Sequence, residues 1–291
     1  MAVTLVESAK LSQDMLQKGV IETMVRTSAV LEVLPFMEIV GNAYTYNQVS
    51  TLPTVEFRDV NAGYTEASAG FTQKTATLVM LGGDVDVDKF IAETRGNIND
   101  QRAIQTELKA KAVAEKYTAT FFYGDVAVDT KSFNGLAKYV TGGQDIQVID
   151  NTNGALVLED LNKLVDAVPH GADALFMSRG CRRILMNLLQ NNQHYIETSV
   201  DAFGRPVTMY AGIPLRVCED AVMPQQSSAY EIFAVKLGVL SDVSGIQNGG
   251  VRVTDIGELE TKPVYRTRIE WYTGLAVFNP LSVARLKGIK K

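Results

Sequence analysis

Residues 44–82 constrain this chain most. Tyr44-Thr45-Tyr46-Asn47-Gln48-Val49 alternates as a strand does, and Thr54-Val55-Glu56-Phe57-Arg58-Asp59-Val60 alternates apolar with charged residues. A turn-rich polar stretch runs from Asn61 to Gly70, and Phe71-Thr72-Gln73-Lys74-Thr75-Ala76-Thr77-Leu78-Val79-Met80 returns to strand character. This pattern predicts a long two-stranded ribbon with an elaborate tip. Its apolar content is too thin for a core, and an isolated hairpin is marginal in water. The ribbon therefore needs a surface to lie on, either its own domain or another molecule. Long excursions from compact domains are usually functional, which favours the second reading.

Helical patterns flank the ribbon. Ahead of it, Leu11, Met15, Leu16, Gly19, Val20, Thr23, Met24 and Thr27 trace a stripe at i, i+4 spacing, with Leu16, Val20 and Met24 its most apolar part. Ser12 offers a cap, Asp14 sits in the first turn, and Pro35 stops the segment. Such a stripe has to be buried, on the chain's own body or across a neighbour. After the ribbon, a short helix is expected from Asp88 to Arg95, broken at Gly96, with Asn97 or Asn99 capping the next. From about Asn99 to Phe122 one face carries Ala110, Val113, Ala114, Tyr117 and Phe121, and another carries Ala103, Ile104, Leu108 and Ala112. The Ala-rich centre has high helix propensity and permits close packing.

Residues 146–250 read as an α/β layer. Leu156–Val168 and Arg182–Gln190 carry helical spacing, and Ala174-Leu175-Phe176-Met177-Ser178 and Tyr230-Glu231-Ile232-Phe233-Ala234-Val235 read as short buried strands. Val207–Tyr210 and Ile213–Val217 form a strand pair about Ala211-Gly212. Val251–Ile256 and Tyr265–Tyr272 alternate as strands on either side of Glu260-Thr261-Lys262-Pro263.

Chemistry is hard to find. The net charge is −5 and the basic residues are scattered, so no nucleic-acid patch is expected. Cys181 and Cys218 read as buried small hydrophobes, too few for a disulfide scaffold or a four-cysteine zinc site. His170 and His194 lack neighbours at metal-ligand spacing. Asp84, Asp86 and Asp88 share one strand face, which could hold a hard cation; a solvated face with Asp88 capping the next helix is the better reading. Nucleophile-elbow, dinucleotide and phosphate-loop patterns are absent. No catalytic residue, cofactor or metal ligand is expected. No membrane span or secretion signal is expected either, and the chain reads as a soluble protein at synthesis.

The order of these patterns resembles the tailed-bacteriophage major capsid proteins, whose fold is the Hong Kong 97 type. The resemblance rests on Val33-Leu34-Pro35-Phe36, Pro53-Thr54-Val55-Glu56-Phe57-Arg58, Val87-Asp88-Lys89-Phe90-Ile91, Phe121-Phe122-Tyr123-Gly124-Asp125, Ala211-Gly212-Ile213-Pro214-Leu215 and Trp271-Tyr272-Thr273-Gly274-Leu275-Ala276-Val277. It implies an α+β chain with an N-terminal arm (1–43), an extended E-loop ribbon (44–82), a peripheral domain with a spine helix (83–145), an axial domain (146–250) and a return to the peripheral domain (251–291). It implies an icosahedral shell of pentamers and hexamers around double-stranded DNA, assembled in the host cytoplasm and held without sequence-specific DNA binding. Portal and decoration proteins are the further partners implied. Only about 40 residues precede the ribbon, so the scaffold is expected to be a separate protein. The expected inter-subunit contacts are Leu16, Val20, Met24, Phe57, Arg58, Tyr64, Phe71 and Lys74. Some members cross-link through an E-loop lysine; Lys74 lies in the ribbon, but no motif matches. An encapsulin-like nanocompartment shell is the alternative within the fold, and an α/β enzyme the alternative outside it.

Overall fold

Sharp alternation organises the centre of the molecule. The structure is a computed structural model describing residues 15–95, 101–140, 142–147, 154–191, 197–200, 204, 206–226 and 228–290. The expected features at Leu11, Ser12 and Asp14, at Gly96, Asn97 and Asn99, and at His194 lie outside the described residues. Strands β6 (Ala174–Ser178) and β10 (Tyr230–Val235) pair antiparallel at the middle of a seven-stranded sheet. Both faces of these strands are covered. Phe176, Phe233 and Val235 point into one apolar cluster, while Leu175, Met177, Ile232 and Ala234 point into another. A strand buried on both sides shows a continuous apolar run instead of a polar alternation, as β6 does.

The same sheet contains β5 (Asp145–Gln147), β7 (Glu197–Val200), β8 (Pro206–Tyr210), β9 (Ile213–Cys218) and β13 (Val283–Ile289). Their order across it is β5-β13-β10-β6-β9-β8-β7. Between β8 and β9, Ala211 (φ 49°) and Gly212 (φ 76°) both take left-handed backbone, the signature of a tight two-residue hairpin turn. Helices α6 (Leu158–Asp166) and α7 (Arg179–Asn191) cover one face through Leu161, Leu164, Cys181, Leu185 and Leu189.

The other face receives the end of a 23-residue helix, α4 (Gln101–Tyr123). At about 1.5 Å per residue this helix is about 35 Å long. Of the two stripes in the sequence, Ala110, Val113, Ala114, Tyr117 and Phe121 are the buried one, and Ile104 and Leu108 face out. Phe122 at its end packs on Phe176 and Phe233, with ring centroids 5.6 and 5.3 Å apart. The one-turn helix α5 (Leu136–Tyr139) adds Leu136 to the same core. Further back, Tyr117 meets Trp271 at 4.7 Å, and Trp271 meets Phe36 at 5.4 Å.

Those last contacts belong to a four-stranded sheet built from β1 (Phe36–Glu38), β4 (Val79–Asp88), β11 (Val243–Leu259) and β12 (Lys262–Val277), in the order β1-β11-β12-β4. Two expected boundaries are corrected here. The step from 250 to 251 is not a change of sheet, because β11 already runs in the four-stranded sheet from Val243, and β13 returns to the seven-stranded one. The ribbon's second strand does not run to Met80 either. It ends at Thr77, and from Val79 onward the chain pairs with β12.

A buried acid, Asp242, marks the join between the sheets, and two more acids, Glu231 and Asp145, lie within the seven-stranded one. Asp242 sits between the two short connections that cross from one sheet to the other. It accepts from Ser282 Oγ at 2.6 Å and Ser241 Oγ at 2.8 Å, and its carbonyl accepts from Phe278 N at 2.9 Å. Glu231 on β10 is buried, and burial pushes its carboxyl above the usual range despite Arg285, 3.9 Å away, and a hydrogen bond from Tyr123. Asp145 is held below the usual carboxylate range: burial opposes its charge, but Lys287 and Arg285 at 2.5 and 2.8 Å outweigh it.

The N-terminal helix α1 (Met15–Thr27) and the short α2 (Ala29–Val33) dock on this same body. Ser28 caps α2 by accepting from Leu31 N at 3.2 Å, and its hydroxyl bonds Thr118 of α4 at 2.6 Å. Glu32 pairs with Arg216 of β9 at 2.9 Å. Val20 and Met24 are only 4% and 0% exposed, inside the core shared with α4. That withdraws both from the expected set of neighbour contacts, because their side chains are enclosed by their own subunit. Leu16 alone of the stripe's apolar part remains open to solvent.

Candidate assembly surface

The ribbon is β2 (Ala43–Thr51) paired antiparallel with β3 (Gly70–Thr77). Its base is fixed and its tip is free. Residues directly opposite in an antiparallel pair share a face. Tyr44 with Ala76, Tyr46 with Lys74 and Gln48 with Thr72 therefore form one face. At the base that face lies on the body: Tyr46 packs on Phe278 at 4.7 Å, and Ala76 is buried with Ile39, Ile246 and Ala276. Tyr46 Oη and Gln48 Nε2 both donate to Val277 O, at 2.9 and 2.7 Å. Burial raises the Tyr46 phenol to about 12, so it stays a donor at any physiological pH. Lys74 shares this face yet is exposed further out.

Beyond Thr51 the pairing stops. The alternation at Thr54–Val60 does not become a strand, because no second strand stands opposite it to take up its backbone groups. The tip, residues 52–69, is instead an open loop with internal struts. Arg58 lies over the Tyr64 ring at 5.2 Å and donates to Ala62 O at 3.0 Å. Thr65 N donates to Glu56 Oε1 at 2.6 Å, which holds that carboxyl below its usual range. The struts leave the apolar side chains outward. Phe57 is 108% exposed, and Leu52, Val55, Val60 and Tyr64 are also open to solvent. On the ribbon shaft, Val49 and Phe71 form an exposed cross-strand pair on the face away from the body.

Of the eight expected contact residues, the structure thus gathers Phe57, Arg58, Tyr64 and Phe71 on one projection, with Lys74 on its inner face and Leu16 on α1 apart from them. Leu52, Val55 and Val60, in the same sequence run, are exposed in the same way. Exposed large apolar side chains gathered in one loop make it the candidate assembly surface of the chain.

The three aspartates resolve as the sequence suggested, with partners it did not reveal. Asp84 and Asp86 stand on the outward face of β4 opposite Arg268 and Arg266 of β12. Each pair is bidentate: 2.7 and 2.9 Å for Arg268 on Asp84, 2.6 and 2.6 Å for Arg266 on Asp86. The arginine hydrogen bonds hold both carboxyls below their usual range. Asp88 Oδ1 accepts from Phe90 N at 2.8 Å and caps α3 (Lys89–Arg95). No group of three or more metal-binding side chains occurs among the described residues. Both thiols are buried, and burial pushes each up to about 12, so neither is a nucleophile near neutral pH. His170 lies in an exposed turn.

The architecture is shared with known shells. The chain is similar to the holo-SrpI encapsulin complex of Synechococcus elongatus PCC 7942 (TM-score 0.70, 19% identity, covering 90% of this chain and 87% of that one). It is similar to the capsid of a native GTA particle (TM-score 0.66, 14% identity, 90% of each chain). It is also similar to a chain of Mycobacterium phage Cain (TM-score 0.66, 13% identity, 100% and 98%). These likenesses establish the fold. No curated protein matches the chain in sequence. The fold is of the Hong Kong 97 type, with the ribbon projecting from its body. Residues 12–155, about half of the chain, match the family described as "Major capsid protein GP7". The chain belongs to the major capsid proteins of this fold, and its function is to form a shell with copies of itself.

Proposed function

We propose that the chain closes into an icosahedral shell of pentamers and hexamers around viral double-stranded DNA, and that the ribbon tip is its principal reach to a neighbour. The observation that carries this reading is the loop 52–69, whose apolar side chains find no cover on their own subunit. Individually such contacts are weak. Repeated around closed rings, they gain avidity without any new chemistry. Burying one large aromatic at each contact supplies about 1.5–3 kcal/mol. The reading assigns the chain an assembly role and no catalytic step, with assembly in the host cytoplasm. A separate scaffold, a portal and decoration proteins are the partners that a shell of this kind uses. The acidic net charge of −5 suits a container that holds DNA without gripping it.

The test is to replace residues 53–68 with a short glycine-serine turn. This leaves Ala76 and the anchored base intact. The expected result is a soluble subunit whose melting temperature stays within a few degrees of wild type and which forms no shells in negative-stain images. Normal shells from this variant would overturn the reading.

The encapsulin-like alternative is favoured by one observation, the TM-score of 0.70 to the encapsulin complex. Expression with the neighbouring genes separates the two. A shell filled with nucleic acid supports the virus, and a shell that copurifies with one enzyme supports the compartment.

A further inference from the structure

On the outward face of the four-stranded sheet, β4 carries Gly82 directly opposite Glu270 of β12. No side chain can stand there: a Cβ at Gly82 would lie 2.1 Å from Ile269 O, and backbone cannot give way. The sheet surface therefore has a hole where the row of side chains is interrupted. Met80, Asp84, Arg268, Glu270 and Tyr272 rim it, and its volume is about 200 Å³. That is room for one aromatic ring and too little for a helix or a strand. At one end of the rim Met80 is 83% exposed beside Tyr272, whose ring carries Arg252 at 5.5 Å, and the other end is charged. Arg268 is already clamped by Asp84. Glu270 makes no ion pair among the described residues.

The ribbon tip carries the complementary pattern. Phe57 is its most exposed apolar side chain and stands between Glu56 and Arg58. Its own subunit offers it nothing, since every residue from 51 to 68 is exposed. We propose that the hole over Gly82 seats Phe57 from the ribbon tip of a second copy of this chain, with Arg58 of that copy facing Glu270. The proposal rests on the reading of the ribbon as a contact element and adds the surface that receives it. A ring packed against Met80 and Tyr272 gains sulfur and aromatic contacts at one end. An acid and a base on each side fix its direction and disfavour the reversed tip. The glycine thus has two roles in one position: it permits the close β4–β12 approach, and it leaves the receptor open.

Disulfide trapping in the full chain tests this directly. The native thiols are buried with raised pKa values and stay out of the exchange. Shells of the Phe57→Cys/Met80→Cys double variant, assembled under reduction and then mildly oxidised, are expected to give a ladder of linked subunits on non-reducing gels. Neither single variant should give it. If the double variant assembles poorly alone, co-assembly with excess wild-type chain keeps the linked dimer readable. Met80→Glu and Phe57→Ala, each confirmed folded by thermal melting, are expected to cut shell yield about tenfold or more, as for an interface anchor. Arg58→Glu should lose yield that Arg58→Glu/Glu270→Arg regains. If Phe57→Ala blocks assembly while Met80→Glu assembles normally and no 57–80 link forms, the hole is not the seat, and the ribbon reading survives. If Phe57→Ala itself assembles as wild type, this proposal falls, and the tip deletion decides the wider reading.

Discussion

The tip loop and the central strand β6 face opposite ways in every physical sense. In β6 all five side chains are buried, and its apolar ones are shared between two clusters on the two faces of the sheet. In the loop 52–69 the apolar side chains point at water, and the internal contacts are polar or cationic struts. Hydrophobicity alone does not separate them, since Leu52, Val55, Phe57 and Val60 are as apolar as Leu175 or Phe176. What separates them is what stands opposite. β6 has β9 and β10 as neighbours and a layer on each face, whereas the tip is left uncovered by its own chain. One region makes the subunit, and the other is left for something outside it.

Substitutions can break or sharpen that contrast. The largest stability effect is expected from Phe176→Ala, which opens a cavity against Phe121, Phe122 and Phe233. A loss of about 3–5 kcal/mol in chemical denaturation is expected. Asp242→Ala comes next. It leaves Ser282 Oγ and Ser241 Oγ without their acceptor, while Phe278 N keeps its bond to the backbone carbonyl, at a cost of about 1–3 kcal/mol in the same measurement. Glu231→Gln should be smaller and pH-dependent. The Glu231 carboxyl titrates higher in the folded chain than in the unfolded one, so its ionisation weakens the fold as pH rises through the raised value. The melting-temperature difference between the two proteins should therefore favour wild type in mild acid and move towards the variant by pH 8. A gap that is flat with pH would contradict this. The smallest effect is expected from Val55→Ser in the tip, within about 0.5 kcal/mol of wild type, while shell yield drops. A large stability loss there would erase the contrast, since it would mean that the tip serves its own subunit.

Local patterns carried most of the fold into view. Which of the two sides of α4 would be buried was not legible, but the stripe Ala110, Val113, Ala114, Tyr117, Phe121 was legible as one side, because helical spacing is a property of one segment. The unbroken apolar run at Ala174–Met177 predicted a buried strand for the same reason. Long-range pairing was not legible. Nothing near Asp84 and Asp86 announces Arg268 and Arg266, which lie far along the sequence. The return of β13 to the seven-stranded sheet depends on register and closure, which no window of sequence contains. Val20 and Met24 were legible as a stripe but not as to which body would cover them. Thr54–Val60 misled because alternation is a necessary sign of a half-buried strand and not a sufficient one. For the contact surface, exposure of Phe57, Tyr64 and Phe71 was readable from the thin apolar content of the ribbon. The hole at Gly82 was not, since it exists only once β12 lies alongside.

The path of the chain between its two sheets has a mechanical meaning. It crosses from β4 to β5, again from β10 to β11, and a third time from β12 to β13. The last two crossings are short and tied together at Asp242 by hydrogen bonds from Ser282 and Phe278. A tile joined by one strap folds along that strap when pushed from one side. A tile stitched at several points, with the α4 aromatics wedged in the seam, resists bending and passes load from one plate to the other. A wall of such tiles under outward pressure would yield first at the joints between subunits, which in the function proposed above are the joints the ribbon spans.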